Sequence, residues 1–335
     1  MMTNRLSPIT AAGLLVTRAC PARCRHCYVG AGPERSEWMS LDAATAHLAA
    51  LARMGVAASG IHIGGGEPFA APPTGQAGFD RLRAIDRAAR TVGLAGIGYV
   101  ETNGFWADSA DLVRNRLVAL AADGMQQLSI SSDPYHQEFV PPERIRLLYE
   151  TAREVLGPQG LRVRRWKWLQ APQDISALPE PARLDLFRSF LRRYPERMTG
   201  RAADHLSSLA DRLPLDAIPR DGCRRALLES AHVHIDPEGW VYPGTCAGIV
   251  FGRAGPDLPL DRLLGDWRPE ASPLLARLVE GGPGRLLEDA ARHGFRPDPQ
   301  GYAGKCHLCW VLRTTLVRVG AESESLEPAT LYLTA

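Results

Sequence analysis

Residues 13–28 read GLLVTRACPARCRHCY, a short apolar run followed by cysteines at 20, 24 and 27 in a C-x3-C-x2-C spacing. The run Gly13 to Thr17 lacks polar alternation, which is the pattern of a strand buried on both faces. Three thiolates on one loop can hold three irons of a cubane cluster, leaving the fourth iron without a protein ligand and open to a chelating amine and carboxylate. Two other readings of the triplet stand beside this one. One is a zinc site with His26 as a strained fourth ligand between two of the cysteines; the other is three unrelated buried cysteines.

Outward from this stretch, apolar runs alternate with helical patterns. Ser40 caps a pattern through Leu41, Leu48, Leu51 and Met54, and Ile61 to Ile63 reads as a second strand. Helices are expected over Phe79 to Val92, Asp108 to Ala122, Pro142 to Leu156 and Leu184 to Tyr194. Strands are expected at Ile97 to Val100, Leu128 to Ser131, Leu161 to Leu169 and Met198 to Ala202. Such alternation predicts a parallel sheet with right-handed crossovers, open or curled, with ligands at the carboxyl ends of its strands. After about residue 215 the pattern changes, and Val233 to Ile235 and Trp240 to Tyr242 flank a Pro-Glu-Gly turn as a hairpin. The expected division is residues 10–215 and a smaller α+β module, 216–335.

Each early strand ends in residues suited to a shared pocket. The second runs into Gly64-Gly65-Gly66-Glu67-Pro68-Phe69, where glycines let backbone approach a ligand. The third ends in Glu101-Thr102-Asn103-Gly104 and the fourth in Ser131-Ser132-Asp133, which offer hydroxyls and carboxylates. Singly these are ordinary turns and caps. In this order behind the cysteine triplet, they resemble the radical S-adenosylmethionine (SAM) superfamily.

That resemblance implies a partial (β/α)6 TIM-like barrel with a [4Fe–4S] cluster on Cys20, Cys24 and Cys27. S-adenosylmethionine would bind the open iron, and reductive cleavage would release methionine and a 5′-deoxyadenosyl radical. It implies cofactor contacts from Gly65, Gly66, Glu67, Thr102, Asn103, Ser131 and Ser132, and a flavodoxin or ferredoxin as electron donor. Arg162, Arg164, Arg165 and Lys167 crowd the fifth strand, and Arg164 is the expected partner of the co-substrate carboxylate. Asp133, Tyr135 and His136 follow the fourth strand as catalytic candidates, against the alternative of a turn with a packed histidine.

The remaining cysteines, Cys223, Cys246, Cys306 and Cys309, form a C-x22-C-x59-C-x2-C set. With the hairpin before Cys246, this resembles the twitch module, a shorter relative of the SPASM extension in which four cysteines ligate one auxiliary [4Fe–4S] cluster. A four-thiolate zinc site satisfies the same spacing. Three and four together use all 7 cysteines. No thiol then remains to return a hydrogen atom, which disfavours epimerisation and favours oxidation, unless Tyr135 or one ligand serves.

The 335 residues are 45% hydrophobic, with 39 basic and 37 acidic side chains and a net charge of +2. No basic run suggests nucleic acid, and no apolar run approaches the ~20 residues of a membrane span. A cytoplasmic oxidoreductase is the expectation, with no membrane or nucleic-acid partner. Only 19 residues precede Cys20, which tilts the substrate towards a small aminocyclitol, sugar or amino acid of natural-product biosynthesis. The alternatives are a maturase for a ribosomally made peptide, forming a crosslink or thioether, and a non-catalytic zinc-binding interaction protein. His232 and His234, on one face of a strand, are read as structural, as are Trp166 and Trp168.

Overall fold

In the computed structural model, which describes residues 5–70, 75–321 and 324–333, the apolar run before the cysteine loop forms β1 (Ala11–Thr17), buried along almost its whole length. It is buried because it has a parallel neighbour on each side. One is β2 (Ile61–Gly65), reached through α1 (Leu41–Arg53); the other is β6 (His232–Ile235), which arrives late in the chain. Ser40 opens α1 by accepting the Ala43 N–H at 3.1 Å, and Leu48 and Leu51 turn into the core.

The strand and helix unit repeats through α2 (Gly75–Thr91), β3 (Tyr99–Thr102), α3 (Ala110–Asp123), β4 (Gln127–Ser131), α4 (Pro134–Gln137), α5 (Pro142–Leu156) and β5 (Leu161–Arg164). The sheet runs β5-β4-β3-β2-β1-β6-β7-β8, with β7 (Trp240–Pro243) and β8 (Gly252–Arg253) antiparallel at one edge. Residues of β5 and of β6 line one cavity despite their separation in this order. The open sheet therefore curves, and the expected α/β class with a partial parallel barrel is present.

Two strand expectations fail for backbone reasons. The fifth strand stops at Arg164, because Arg165 takes the left-handed conformation (φ 65°) and opens α6 (Trp166–Gln170). Trp166 and Trp168 consequently share no strand face. After α7 (Glu180–Arg193), residues 198–202 run through a turn into a helix instead of forming a sixth strand. Gly200, at φ 58°, packs against the Cys27 and Tyr28 backbone and leads into α8 (Arg201–Leu206). The sixth parallel strand is β6, so the hairpin expected in a separate module belongs to the same sheet.

A buried ion pair fixes this junction beside the cysteine loop. Arg18 donates to Asp236 at 2.5 Å and to Glu238 at 3.1 Å, and Tyr242 donates to Asp236 at 2.5 Å. The later helices are α9 (Arg224–Leu227), α10 (Leu260–Asp266), α11 (Pro273–Gly281), α12 (Leu287–Arg292), α13 (Lys305–Arg318) and α14 (Thr330–Leu333). Among the described residues no helix is long and apolar enough to cross a membrane.

Candidate active site

The loop leaving β1 folds back on itself. Cys20 donates its N–H to Gly32 at 3.1 Å, Gly32 donates to Arg18 at 3.1 Å, and Cys27 donates to Cys24 at 3.1 Å. Cys20 and Cys24 are buried and Cys27 is half-buried. Beside them runs the glycine stretch from β2, tied by N–H donation from Gly66 to Thr17 at 2.7 Å and from Glu67 to Ala19 at 2.8 Å. A Cβ on Gly65 or Gly66 would stand well under 3.0 Å from the carbonyl oxygen of Thr17 or Ala19. Glycine is needed there because backbone meets backbone.

Glu67 has no exposed surface and works inward. Its carboxylate accepts the Asn103 N–H at 2.7 Å, the Thr102 hydroxyl at 2.9 Å and the Phe69 N–H at 3.3 Å. Burial lifts its carboxyl to about 7 against these bonds. Glu67 thus ties the end of β2 to the end of β3, and Asn103 in turn directs its amide at the Cys20 sulfur, 3.6 Å away.

A cavity of about 570 Å³ opens over the three thiols. Of the residues expected at the site, Gly65, Gly66, Thr102, Asn103, Ser131, Arg164 and His136 line it. Others support the wall from behind. Ser132 donates its hydroxyl to the Arg164 carbonyl at 2.9 Å. Asp133 accepts the Tyr135 and His136 N–H groups and holds the His136 ring at Nδ1, 2.8 Å away. Burial opposes charge on Asp133, yet His136 and His26 hold its carboxyl well below the usual range. Tyr135 is fully buried against Phe187 and Phe190 of α7. His26 stacks on Tyr135 at 4.8 Å, and burial lowers it to about 4.

Three cavity residues, Glu196, Arg197 and Arg201, lie in or beside the stretch read from sequence as a strand. Arg201 hydrogen-bonds Cys27 and also donates to the Ala31 carbonyl, while its N–H reaches the Cys27 carbonyl at 3.2 Å. Burial and the nearby Asp133 raise Glu196 to about 7. Turn residues brought in from a distant segment leave no local motif, so nothing in the sequence marked them.

The sequence from Leu14 to Glu154 matches the family model of the radical SAM superfamily. This segment is a radical SAM domain. Such domains imply a [4Fe–4S] cluster and S-adenosylmethionine, and the donor set here fits them. The loop supplies three thiols, with the Asn103 amide, the Ala22 N–H (3.5 Å from the Cys20 sulfur) and the Arg201 guanidinium directed at their sulfurs. Burial pushes the Cys20 thiol up to about 12 and holds the Cys24 thiol well above its ordinary value. Their ionisation therefore accompanies metal binding. Solved structures similar to this chain include BtrN in complex with AdoMet and 2-DOIA, at 13% identity and a TM-score of 0.41 over 83% of this chain and 90% of that one. Native anSMEcpe with bound AdoMet is similar at 12% identity and a TM-score of 0.44, over 91% and 96%. No curated protein sequence matches.

Beyond the radical SAM domain, the other four cysteines line a second cavity of about 240 Å³. Cys223 caps α9, Cys246 follows β7, and Cys306 and Cys309 lie three residues apart in the first two turns of α13, on one side of the helix. Arg197 donates to the Cys246 sulfur at 3.1 Å and Arg313 to the Cys309 sulfur at 3.3 Å. Arg197 and Thr199 line both cavities.

Proposed function

We propose that the chain is a radical SAM enzyme that removes hydrogen from a small polar molecule of aminocyclitol, sugar or amino-acid type, in a two-electron oxidation aided by an auxiliary cluster. The observation that carries this reading is the triplet Cys20, Cys24 and Cys27 opening on a cavity of about 570 Å³ at the carboxyl ends of parallel strands. That volume lies within the usual range for small-molecule sites. Bound at the triplet, a [4Fe–4S] cluster supplies the electron that splits S-adenosylmethionine into methionine and a 5′-deoxyadenosyl radical.

The chain's own residues then bind and handle protons. Arg164 is offered to the co-substrate carboxylate, and Gly65 and Gly66 bring backbone close to it. Thr102, Asn103 and Ser131 present polar atoms to the same cavity. Glu196, lifted to about 7, takes up a proton at neutral pH more readily than an ordinary carboxylate, which suits the proton lost in an oxidation. Asp133 fixes the His136 ring, leaving Nε2 for cavity contacts.

An auxiliary cluster on Cys223, Cys246, Cys306 and Cys309, in a twitch-like arrangement, is supported by their common cavity. A single zinc would draw four sulfurs to about 2.3 Å from one point, whereas a 240 Å³ space among them suits a larger inorganic group. The shared wall at Arg197 and Thr199 supports its placement beside the substrate.

After anaerobic reconstitution the chain is expected to hold about eight irons, from two cubanes, and to form 5′-deoxyadenosine when given reductant and co-substrate. Cys24→Ser should abolish deoxyadenosine and remove about half the iron. Cys309→Ala should remove a similar share and leave co-substrate cleavage in place. Protein containing zinc alone and forming no deoxyadenosine overturns the proposal.

A further inference from the structure

Gly13 sits in register with His62 of β2 on one side and His234 of β6 on the other. Equivalent positions on neighbouring strands of a sheet face the same way. The missing side chain at Gly13 leaves a notch over which both imidazoles lean, and a Cβ there would stand well under 3.0 Å from each ring. His232, two residues before His234 on the same face, completes a trio. One nitrogen from each ring lies within 4.8 Å of the other two. All three rings line the large cavity.

We propose that His62, His232 and His234 bind one divalent transition-metal ion, with the remaining coordination position open to the cavity for a hydroxyl, carboxylate or water oxygen. Imidazole suits zinc, iron, copper and nickel, and a site of three histidines with one open position is a catalytic type rather than a structural one. His234 carries the tautomer this requires. Its Nδ1–H donates to the Gly244 carbonyl at 2.7 Å, which fixes the ring and makes Nε2 the lone-pair nitrogen, as in histidines that ligate metals. The Nε2 of His232 is buried and has no hydrogen-bond partner among the described residues. Native interiors rarely leave such an atom unsatisfied.

A tetrahedral ion with bonds of about 2.0–2.1 Å spaces its nitrogens by roughly 3.3 Å, so the observed spacing closes by small side-chain rotations. Burial holds all three rings below the ordinary histidine pKa and therefore in the neutral, ligating form. The nearby cations have partners of their own to face. Arg162 lies over the Tyr99 ring at 3.9 Å, and Arg164 pairs with Glu101 at 3.8 Å. The Tyr28 hydroxyl, 3.4 Å from His234 Nε2, would yield its place or join the metal.

The test uses the full chain with its iron restored, equilibrated with zinc alone. Zinc and iron are counted, and zinc X-ray absorption reads the ligand atoms. About one zinc per chain with nitrogen and oxygen neighbours at about 2.0–2.1 Å is expected. His232→Gln and His62→Gln should each weaken zinc binding at least tenfold without changing the iron content. His232 is the least buried of the three, so if His62→Gln fails to fold, His232→Gln alone decides. Zinc bound to sulfur at about 2.3 Å, zinc unaffected by the substitutions, or no zinc retained overturns the proposal. Deoxyadenosine formation plays no part in the readout, so failure here and failure of the radical reading are distinct.

Discussion

Gly66 shows how much of the site hangs on single atoms. Its N–H reaches the Thr17 carbonyl, and a methyl group in place of its hydrogen would press into the Ala19 carbonyl, one residue before Cys20. Neither neighbour is a flexible side-chain tip, so Gly66→Ala should displace the cysteine loop and destabilise the chain by about 1–3 kcal/mol. The expected readout is loss of the iron bound by the triplet, with auxiliary iron kept; full retention of both would contradict the packing described. At this scale the sequence was legible wherever chemistry is local. The C-x3-C-x2-C loop and the Gly-Gly-Glu stretch declare themselves because their members are adjacent. Glu67 was legible as important but not in its role, since a sequence does not reveal that its carboxylate faces Asn103 and Thr102. Glu196, Arg201 and His62 were invisible, as each becomes part of the site only through strand register or a distant turn.

Among the elements, α2 carries a charge problem with a measurable signature. Asp86 is almost fully buried, accepts the Ile97 N–H at 3.1 Å through one oxygen, and is lifted by burial to about 7 from an ordinary 3.8. The folded chain then holds the Asp86 proton more tightly than the unfolded chain. Between about pH 4 and 7 the unfolded state binds fewer protons, so this group's contribution to stability is full below pH 4 and is lost as pH rises through 7. Asp86→Asn keeps an acceptor for Ile97 and removes the ionisation. Urea unfolding should show the substituted chain gaining on the natural one by about 2–4 kcal/mol between pH 4 and pH 8; parallel curves would refute the assignment. The start of α1 was legible because Ser40 caps it and that of α5 fell at Pro142, whereas α3 begins at Ala110 behind its Ser109 cap, two residues after the expected Asp108. The two failed strands end where one residue's backbone decides: Arg165 takes a positive φ that its residue type does not announce, and Gly200 is a breaker whose signal the strand reading passed over.

For the whole molecule, the governing fact is that β6 lies against β1. Local pattern gave the hairpin but not its place, because no short-range signal says that a strand near residue 233 will pair with one near residue 13. The Arg18 and Asp236 pair at this junction is buried, with side chains 5% and 2% exposed. Arg18→Met would leave Asp236 buried without its cation, at a cost of about 3–5 kcal/mol. Thermal unfolding of that variant should fall markedly, and a near-natural midpoint would show the junction to be looser than drawn. The same pairing has a consequence during synthesis. Cys20 leaves the ribosome roughly 200 residues before β6 exists, and at about 5–20 residues per second that interval is about 10–40 s. Until β6 arrives, β1 is an open edge and the three thiols have no finished wall around them. Metal delivered in that window meets an unfinished wall around the loop, so correct loading is expected to follow the arrival of β6.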